Sequence, residues 1–301
     1  MIYTITFNPS LDYVMKTQKL EFGHTNRSYQ EHITVGGKGI NVSLVLAQFG
    51  IGSTALGFVG GFTGDQLDRM MKSDLVKTDF VRVANGNTRI NVKLIENEMT
   101  EINAGGPLID EKEIETLLGK LDALEDGDTL IIGGSIPKGV TDDIYERILE
   151  RISGRNVRSV VDAMGALLLG TLKYRPFLIK PNVDELSDIF KTEITCDYDV
   201  IKYALKLREM GAENVLVSMG KDGAILIDEN GGVTKQGAAK VNAVNPVGAG
   251  DSMVAGFIAG AQYDYKSALI YGTAAGGATA CSDGLADKAT IDELLAQIID
   301  R

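Results

Sequence analysis

Short apolar runs alternate with amphipathic stretches along most of this chain. Runs with the length and composition of buried strands cover residues 128–133, 157–162 and 177–182. A helical pattern follows each of them, at about 142–152, 166–172 and 184–190. Residues 215–218 and 224–228 flank a glycine turn and predict a β-hairpin. Because strands and helices alternate, we predict an α/β fold around a mostly parallel sheet.

Two polar segments interrupt this alternation, at about 11–35 and 82–103. Both are strand-like and have no helical pattern between their strands. Residues 89–95 alternate between apolar and polar side chains, as expected for a strand with two different faces. We therefore predict that both segments form a small β-sheet lid, inserted into a single domain that spans residues 1–301.

The length, composition and cysteine content limit the cellular location and the partners of such a domain. With 301 residues the chain can bury a large core. No apolar run approaches the ~20 residues that span a bilayer, so we expect no membrane partner. Residues 2–7 alternate as a strand and lack a basic stretch, so we expect no secretion signal. Cys196 and Cys281 lie far apart without metal-ligand spacing, which indicates reduced thiols and a cytoplasmic location.

The formal net charge of −11 argues against a nucleic-acid partner, because phosphate backbones need clustered lysine and arginine. An anionic small molecule would have to be bound by cations that are gathered locally. The candidates are Arg27, Lys38 and Arg89, which lie in glycine-rich or polar segments. The alternative for each of them is an ordinary solvated surface charge.

The segment 245–258 contains a glycine turn followed by an acid. Gly248, Ala249 and Gly250 offer backbone N–H groups at the start of an apolar helical pattern, where an anion meets the positive end of the helix dipole. Asp251 follows in the first turn, so its carboxylate can take a proton from a hydroxyl that attacks a bound phosphate. On this segment alone, the alternative that Asp251 merely caps the helix is equally supported.

Two motifs near opposite ends of the chain resemble the signatures of the ribokinase-like (PfkB) sugar kinases. The first is Gly36-Gly-Lys-Gly-Ile-Asn41, with Gly50 and Gly60 at the intervals typical of that family. The second is the segment 245–258, apart from Pro246, where many relatives have Thr or Ser. The resemblance covers essentially the full length. It implies a three-layer α/β/α sandwich with a β lid that phosphorylates a sugar with ATP and Mg²⁺, and it allows a monovalent cation.

The resemblance also implies roles for individual residues. Asp251 would be the catalytic base, and the anion hole would consist of Gly248, Ala249 and Gly250. Nucleotide contacts are implied for Lys180, Asn182, Ser218, Gly220, Gly223, Gly248 and Gly250. Glu185 would help to place Mg²⁺ through water. Both nucleotide motifs have a structural alternative. Asn182 and Glu185 have the spacing of a capping box. Gly220 and Gly223 would serve a plain hairpin turn equally well.

For the acceptor, the resemblance points to the branch of the family that binds a sugar already phosphorylated. Contacts to this sugar are implied for Asp12, Gly36, Gly37, Lys38, Asn41, Arg89, Arg27 and Ser135. Arg89, with Lys38 alongside, is the expected site of the substrate phosphate, because a guanidinium binds phosphate in bidentate fashion.

The resemblance implies phosphorylation of fructose 1-phosphate at O6, with tagatose 6-phosphate as the alternative acceptor. A non-catalytic sugar-phosphate sensor is a further alternative, but the intact Asp251 argues against it, since a sensor needs no base. Exposed lid strands can pair between two copies of the chain, so we also expect a homodimer.

Overall fold

The computed structural model describes residues 1–299 of the chain. Its strands are β1 (Ile2–Thr6), β2 (Ser10–Thr17), β3 (Ser28–Gly36), β4 (Ser53–Val59), β5 (Val76–Thr78), β6 (Val81–Arg82), β7 (Arg89–Ile95), β8 (Met99–Ile102), β9 (Thr129–Gly133), β10 (Arg158–Asp162), β11 (Leu178–Ile179), β12 (Asn214–Ser218), β13 (Ala224–Ile227) and β14 (Val233–Gln236). Its helices are α1 (Lys38–Gln48), α2 (Gly61–Met71), α3 (Glu111–Lys120), α4 (Ile144–Ile152), α5 (Gly165–Thr171), α6 (Val183–Phe190), α7 (Asp197–Glu209), α8 (Ala249–Gly260), α9 (Tyr265–Ala280) and α10 (Lys288–Ile299).

Most strands join one large sheet in the order β14-β13-β12-β11-β10-β9-β1-β4-β5, and β6 also pairs with β4. Its strands run parallel except at one edge, where the predicted hairpin forms from β12 and β13 and continues antiparallel into β14. Apolar side chains alternate between the two faces, so Leu130 and Ile132 of β9 join one core and Ile131 joins the other.

Helices cover both faces of the large sheet. The first core takes side chains from α3, α4, α5, α6 and α7, and the second takes them from α1, α8, α9 and α10. This arrangement confirms the predicted α/β/α sandwich. Within residues 1–299, no helix combines the length and the apolar character that crossing a membrane requires.

The carboxyl ends of the parallel strands form one edge of the large sheet. Thr6, Gly133 and Asp162 end β1, β9 and β10, and these three residues are paired in register. After β1 the chain continues to β4 and β5 on one side, whereas β9 to β12 lie on the other. In open α/β sheets, ligands bind outside the carboxyl ends at such a reversal of strand order. We therefore expect a ligand-binding site at this edge of the sheet.

A separate small sheet has the order β3-β2-β7-β8 and takes its strands from the two polar segments. The parallel pairing of β2 with β7 sets Asp12 beside Asn91 and Val14 beside Lys93. Because side chains alternate along a strand, these four share one face. Arg82, at the start of the second predicted lid segment, instead belongs to β6 and the large sheet.

One predicted strand is shorter than expected. Within residues 177–182 only β11, Leu178–Ile179, is continuous strand. Pro181 has no N–H to donate to a ladder, and Asn182 already caps α6. The chain therefore leaves the sheet at Lys180, which places that side chain at the edge where the carboxyl ends meet.

Helix α8 is buried on all sides, and this fixes its first turn. Every residue from Asp251 to Gly260 is buried. Glycine allows α9 to approach closely, since a Cβ added at Gly256 would lie 2.4 Å from the carbonyl oxygen of Tyr271. The apolar pattern of α8 thus reflects burial between α1 and α9 and the sheet, and its N-terminus is held rigidly.

Candidate active site

A cavity of about 1130 Å³ lies between the carboxyl edge of the large sheet and the small sheet. It is lined by most of the residues predicted from the sequence: Asp12, Gly36, Gly37, Lys38, Asn41, Arg89, Ser135, Lys180, Asn182, Glu185, Gly248, Gly250 and Asp251. We call the part formed by the large sheet and its helices the transfer side, and the part formed by β2, β3 and β7 the acceptor side.

Asp251 does not cap helix α8. The N-cap is Gly248, in the left-handed conformation at φ 83°, and no side chain caps this helix end. The buried Asp251 carboxylate instead accepts a hydrogen bond of 2.7 Å from the amide Nδ2 of Asn41 in α1. Its carboxylate is therefore held inside the cavity, which removes the structural alternative for this acid.

The protonation of Asp251 is set by its surroundings. Burial raises the pKa of this carboxyl to about 6, and the negative charge of Asp162 adds to the effect. The hydrogen bond from Asn41 and the ammonium groups of Lys38 and Lys180 act in the opposite direction. The positive end of the helix dipole favours the charged carboxylate and would lower its pKa, but burial outweighs that effect. Asp251 is thus poised to exchange a proton close to neutral pH.

The first turn of α8 offers a cradle for an anion. Gly250 and Asp251 lie in this turn, so their N–H groups need partners from outside the helix. The N–H of Ala249 donates to Pro246 O at 3.1 Å, and Ala249 does not line the cavity. A Cβ added at Gly250 would lie 3.1 Å from Nζ of Lys180, so glycine leaves room for that ammonium beside the helix start.

Asp162, at the end of β10, was not singled out by the sequence. It is 4% exposed, and its Oδ1 lies 3.1 Å from Nζ of Lys38 and 3.5 Å from Nζ of Lys180. Burial alone would raise the pKa of Asp162, but the two lysines hold it below its usual value. Asp162 in turn raises the pKa of Lys38 against the effect of burial. An acid that ends a buried parallel strand was the available signal.

Asn182 and Glu185 form the capping box that was the structural alternative. Asn182 Oδ1 accepts from Glu185 N at 2.8 Å, and Glu185 Oε2 accepts from Asn182 N at 2.9 Å. Both residues also line the cavity. A capping role and a ligand-binding role are compatible, because each side chain uses one polar atom in the cap and leaves its other polar atom for a ligand.

The donor set suits Mg²⁺ bound mainly by a nucleotide. Within residues 1–299, no group of three or more His, Cys, Asp or Glu side chains is arranged to hold a metal ion. Mg²⁺ in phosphoryl-transfer sites is usually bound by one or two carboxylates together with phosphates and water. Glu185 supplies one such carboxylate on the transfer side, so the residues present fit the ion.

Asp12 is the central group of the acceptor side. It is buried, and its Oδ1 accepts hydrogen bonds from Ser10 Oγ at 2.6 Å and Asn91 Nδ2 at 2.9 Å. A Cβ added at Gly36 would lie 2.8 and 2.9 Å from the two carboxylate oxygens. Glycine at this position therefore lets the turn before α1 close over Asp12.

Arg89 and Lys38 lie on different sides of the cavity. Arg89 Nε donates to Asn8 O at 3.0 Å and Nη1 to Ala104 O at 3.3 Å, which fixes the guanidinium on the acceptor side. Burial lowers the pKa of Arg89, while Asp12 opposes the shift. Lys38 instead pairs with Asp162. Both cations line the cavity, and the expectation that they bind one substrate phosphate together stays a prediction.

Some predicted residues lie outside the cavity. Arg27 is exposed directly before β3 and does not line the cavity, although Tyr29 and His32 of that strand do. Ser218, Gly220 and Gly223 lie in the β12–β13 connection and do not line it either. Gly223, at φ 92°, has a packing reason of its own, because a Cβ there would lie 1.9 Å from Gln236 O.

Comparison with known proteins adds sequence evidence across the chain. The model of the pfkB family carbohydrate kinases matches residues 6–291. The chain is 42% identical to the 1-phosphofructokinase of Bacillus subtilis, over 99% of this chain and 98% of the relative. It is 37% identical to the D-tagatose-1-phosphate kinase of Bacillus licheniformis, over 99% of this chain and 98% of that protein.

A solved structure supports the same likeness. Phosphofructokinase-2 from Escherichia coli, in complex with substrates and products, superposes with a TM-score of 0.92 at 29% identity and covers 99% of both chains. The likeness therefore includes the small sheet as well as the sandwich.

Proposed function

Because this chain belongs to the pfkB family of carbohydrate kinases and is a sugar-phosphate kinase, we propose that it transfers the terminal phosphoryl group of ATP to O6 of fructose 1-phosphate. The products are fructose 1,6-bisphosphate and ADP. One observation carries the proposal: a buried carboxylate at a helix N-terminus shares a cavity with Asp12 and the fixed guanidinium of Arg89. The Asp251 carboxylate suits phosphoryl transfer, and the Arg89 guanidinium suits an acceptor that is already anionic.

In this mechanism Asp251 is the base. The hydroxyl oxygen bonds to the γ-phosphorus while the bond from that phosphorus to the ADP oxygen breaks, and the hydroxyl proton passes to the Asp251 carboxylate. N–H groups of Gly248 and Gly250 and the ammonium of Lys180 stabilise the charge on the phosphoryl oxygens. Mg²⁺, held by Glu185 together with the triphosphate, would supply further charge neutralisation.

Asp162 is a positioning residue in this proposal. Its carboxylate contacts both Lys38 and Lys180, so it fixes two ammonium groups beside the first turn of α8. Fixed charges need no reorganisation when the transition state forms, and this is the main advantage of a preorganised site. Lys38 therefore serves the transferred phosphoryl group in our proposal.

We propose that the nucleotide extends from Lys180 and Asn182 towards the β12–β13 connection. Asn182 forms an isolated bridge with Ser218, whose N–H donates to Pro181 O at 3.1 Å. The loop with Gly220 and Gly223 thus continues the same edge of the large sheet.

Because ATP is the co-substrate, we also propose a cytoplasmic location, which cell fractionation would test.

A homodimer is the assembly that we propose. Ile33, Ile90 and Ile102 of the small sheet are 49%, 42% and 58% exposed, an apolar surface that a second copy could cover. Light scattering that finds a fully active monomer would contradict this.

Tagatose phosphates are the second candidate acceptors, since one relative at 37% identity is a D-tagatose-1-phosphate kinase. The test is ADP release with fructose 1-phosphate, tagatose 1-phosphate and tagatose 6-phosphate at equal ATP. We expect the highest kcat/KM with fructose 1-phosphate. Preference for a tagatose phosphate would contradict the acceptor alone, and no turnover of any of the three would contradict the proposed reaction.

The dependence of kcat on pH follows from the raised pKa of Asp251. A base works only when it is deprotonated, so kcat should fall as pH decreases through about 6, towards tenfold per pH unit below it. Substrate phosphates also titrate near pH 6. The control is therefore the residual activity of Asp251→Asn, which should lack this acidic limb. An unchanged limb in that variant would assign the titration to the substrate.

A further inference from the structure

The acceptor side contains a carboxylate that conflicts with an anionic substrate. Asp12 is 7% exposed and lines the cavity. Its two donors on Oδ1, Ser10 and Asn91, are neutral and leave the charge in place. A sugar phosphate that enters this cavity brings further negative charge beside a buried anion, and repulsion between buried charges is weakly screened.

Lys93 offsets that charge. It lies on β7 opposite Val14, one pair farther along the same face of the small sheet as Asp12 and Asn91. Its side chain is 12% exposed, and Nζ lies 2.9 Å from Oδ2 of Asp12, the oxygen that Ser10 and Asn91 do not use. Among residues 1–299, no other lysine or arginine forms an ion pair with Asp12.

The ammonium of Lys93 has a second, weaker carboxylate contact. Glu101 Oε1 lies 3.8 Å from the same Nζ, a longer contact than that to Asp12. An ammonium has three donors, and these two carboxylates account for at most two of them. Because Lys93 lines the cavity, its positive charge lies on the acceptor side, where it offsets the charge of Asp12.

We propose that Lys93 is a specificity-determining residue of the acceptor site: by neutralising Asp12, it allows a sugar that carries a phosphate to bind where an uncompensated carboxylate would repel it. This inference rests on the proposed function, since it takes the acceptor to be a sugar phosphate. It concerns how strongly the phosphorylated sugar binds, and not the chemical step. The neutral sugar without its phosphate should depend far less on Lys93.

The experiment is a double-mutant cycle with Lys93→Met and Asp12→Asn. In the otherwise unchanged enzyme, Lys93→Met should raise the KM for fructose 1-phosphate by about 30-fold, because the partner charge stays buried and unpaired. The kcat should stay within about threefold, and so should the dissociation constant of fructose measured by calorimetry. Lys93→Arg keeps the charge and should stay close to the wild type.

The decisive comparison is made in the Asp12→Asn background, where no carboxylate remains to be neutralised. There, Lys93→Met should change the KM for fructose 1-phosphate by less than about threefold. The inference is wrong if the factor is the same in both backgrounds, or if fructose and fructose 1-phosphate lose affinity equally. The double variant has no unpaired buried Asp12, so it tests the inference even if Lys93→Met alone folds poorly.

Two further measurements separate this inference from the proposed reaction. Lys120→Met is the matched control, because Lys120 pairs with Asp79 on the surface outside the cavity. Calorimetry with fructose 1-phosphate and tagatose 6-phosphate needs no turnover. If the wild type binds a sugar phosphate but releases no ADP, the proposed reaction fails and the cycle is evaluated from binding. If it binds neither, both proposals fail.

Discussion

Replacing Asp251 by asparagine is expected to lower kcat by about 10²–10⁴-fold, while the dissociation constant of ATP changes little. Asparagine has the same size, and its carbonyl oxygen can still accept the hydrogen bond that Asn41 donates at 2.7 Å. The first turn of α8, with its N–H groups, stays intact. What is lost is the capacity to take the proton of the attacking hydroxyl, and this is needed only in the transition state.

The matched control is Asp264→Asn. Asp264 also lies at a helix start, where its carboxylate accepts from Ser267 N at 2.7 Å and caps α9. Asparagine is an equally good cap, so kcat should be unchanged. Steady-state kinetics with ATP titrations measures both effects. An Asp251→Asn enzyme within threefold of the wild-type kcat would show that this carboxylate is not the base.

The second large effect is expected for Arg89→Ala, which should raise the KM for the sugar phosphate by about 10–100-fold. Hydrogen bonds to charged groups contribute about 1.5–3 kcal/mol, and each 1.36 kcal/mol corresponds to a factor of ten. The backbone carbonyls of Asn8 and Ala104 hold this guanidinium in place, so no rotamer entropy is lost on binding. The KM for ATP should change little.

Arg82→Ala is the control for this prediction. Arg82 lies on β6, where it forms ion pairs of 2.7 Å with Asp65 and 2.9 Å with Asp68, outside the cavity. Initial-rate measurements at varied sugar phosphate should separate the two variants. If Arg89→Ala leaves the KM unchanged, or if Arg82→Ala raises it equally, Arg89 does not bind the substrate phosphate.

The parts of the molecule that were predictable are those whose signal is local in the sequence. The strand that ends at Gly133 is a contiguous apolar run, and the glycine turn before Asp251 is a contiguous motif. Both could be found because adjacent residues determine them. Even there, the cap was excluded only by the fold, which makes Gly248 the N-cap and pairs Asp251 with Asn41 of α1.

The parts that were missed depend on pairs distant in sequence. In the sequence, Asp162 is only the last residue of a predicted strand. Its ion pairs with Lys38 and Lys180 become visible only in the fold. Lys93 was visible only as one residue of an alternating strand, because its meaning depends on Asp12 across β2. The ion pair of Lys38 with Asp162 was likewise not visible, since a pattern gives the charge of a residue but not its partner.

The hydrogen bond between Asn41 and Asp251 joins residues that are 210 positions apart. A ribosome therefore makes the glycine motif, the small sheet and the described strands of the large sheet before it makes Asp251, the proposed base. A nascent chain can begin to shape a sugar site, yet it has no group to deprotonate the sugar until α8 has left the exit tunnel. In the proposed mechanism, activity therefore starts only when α8 docks onto α1.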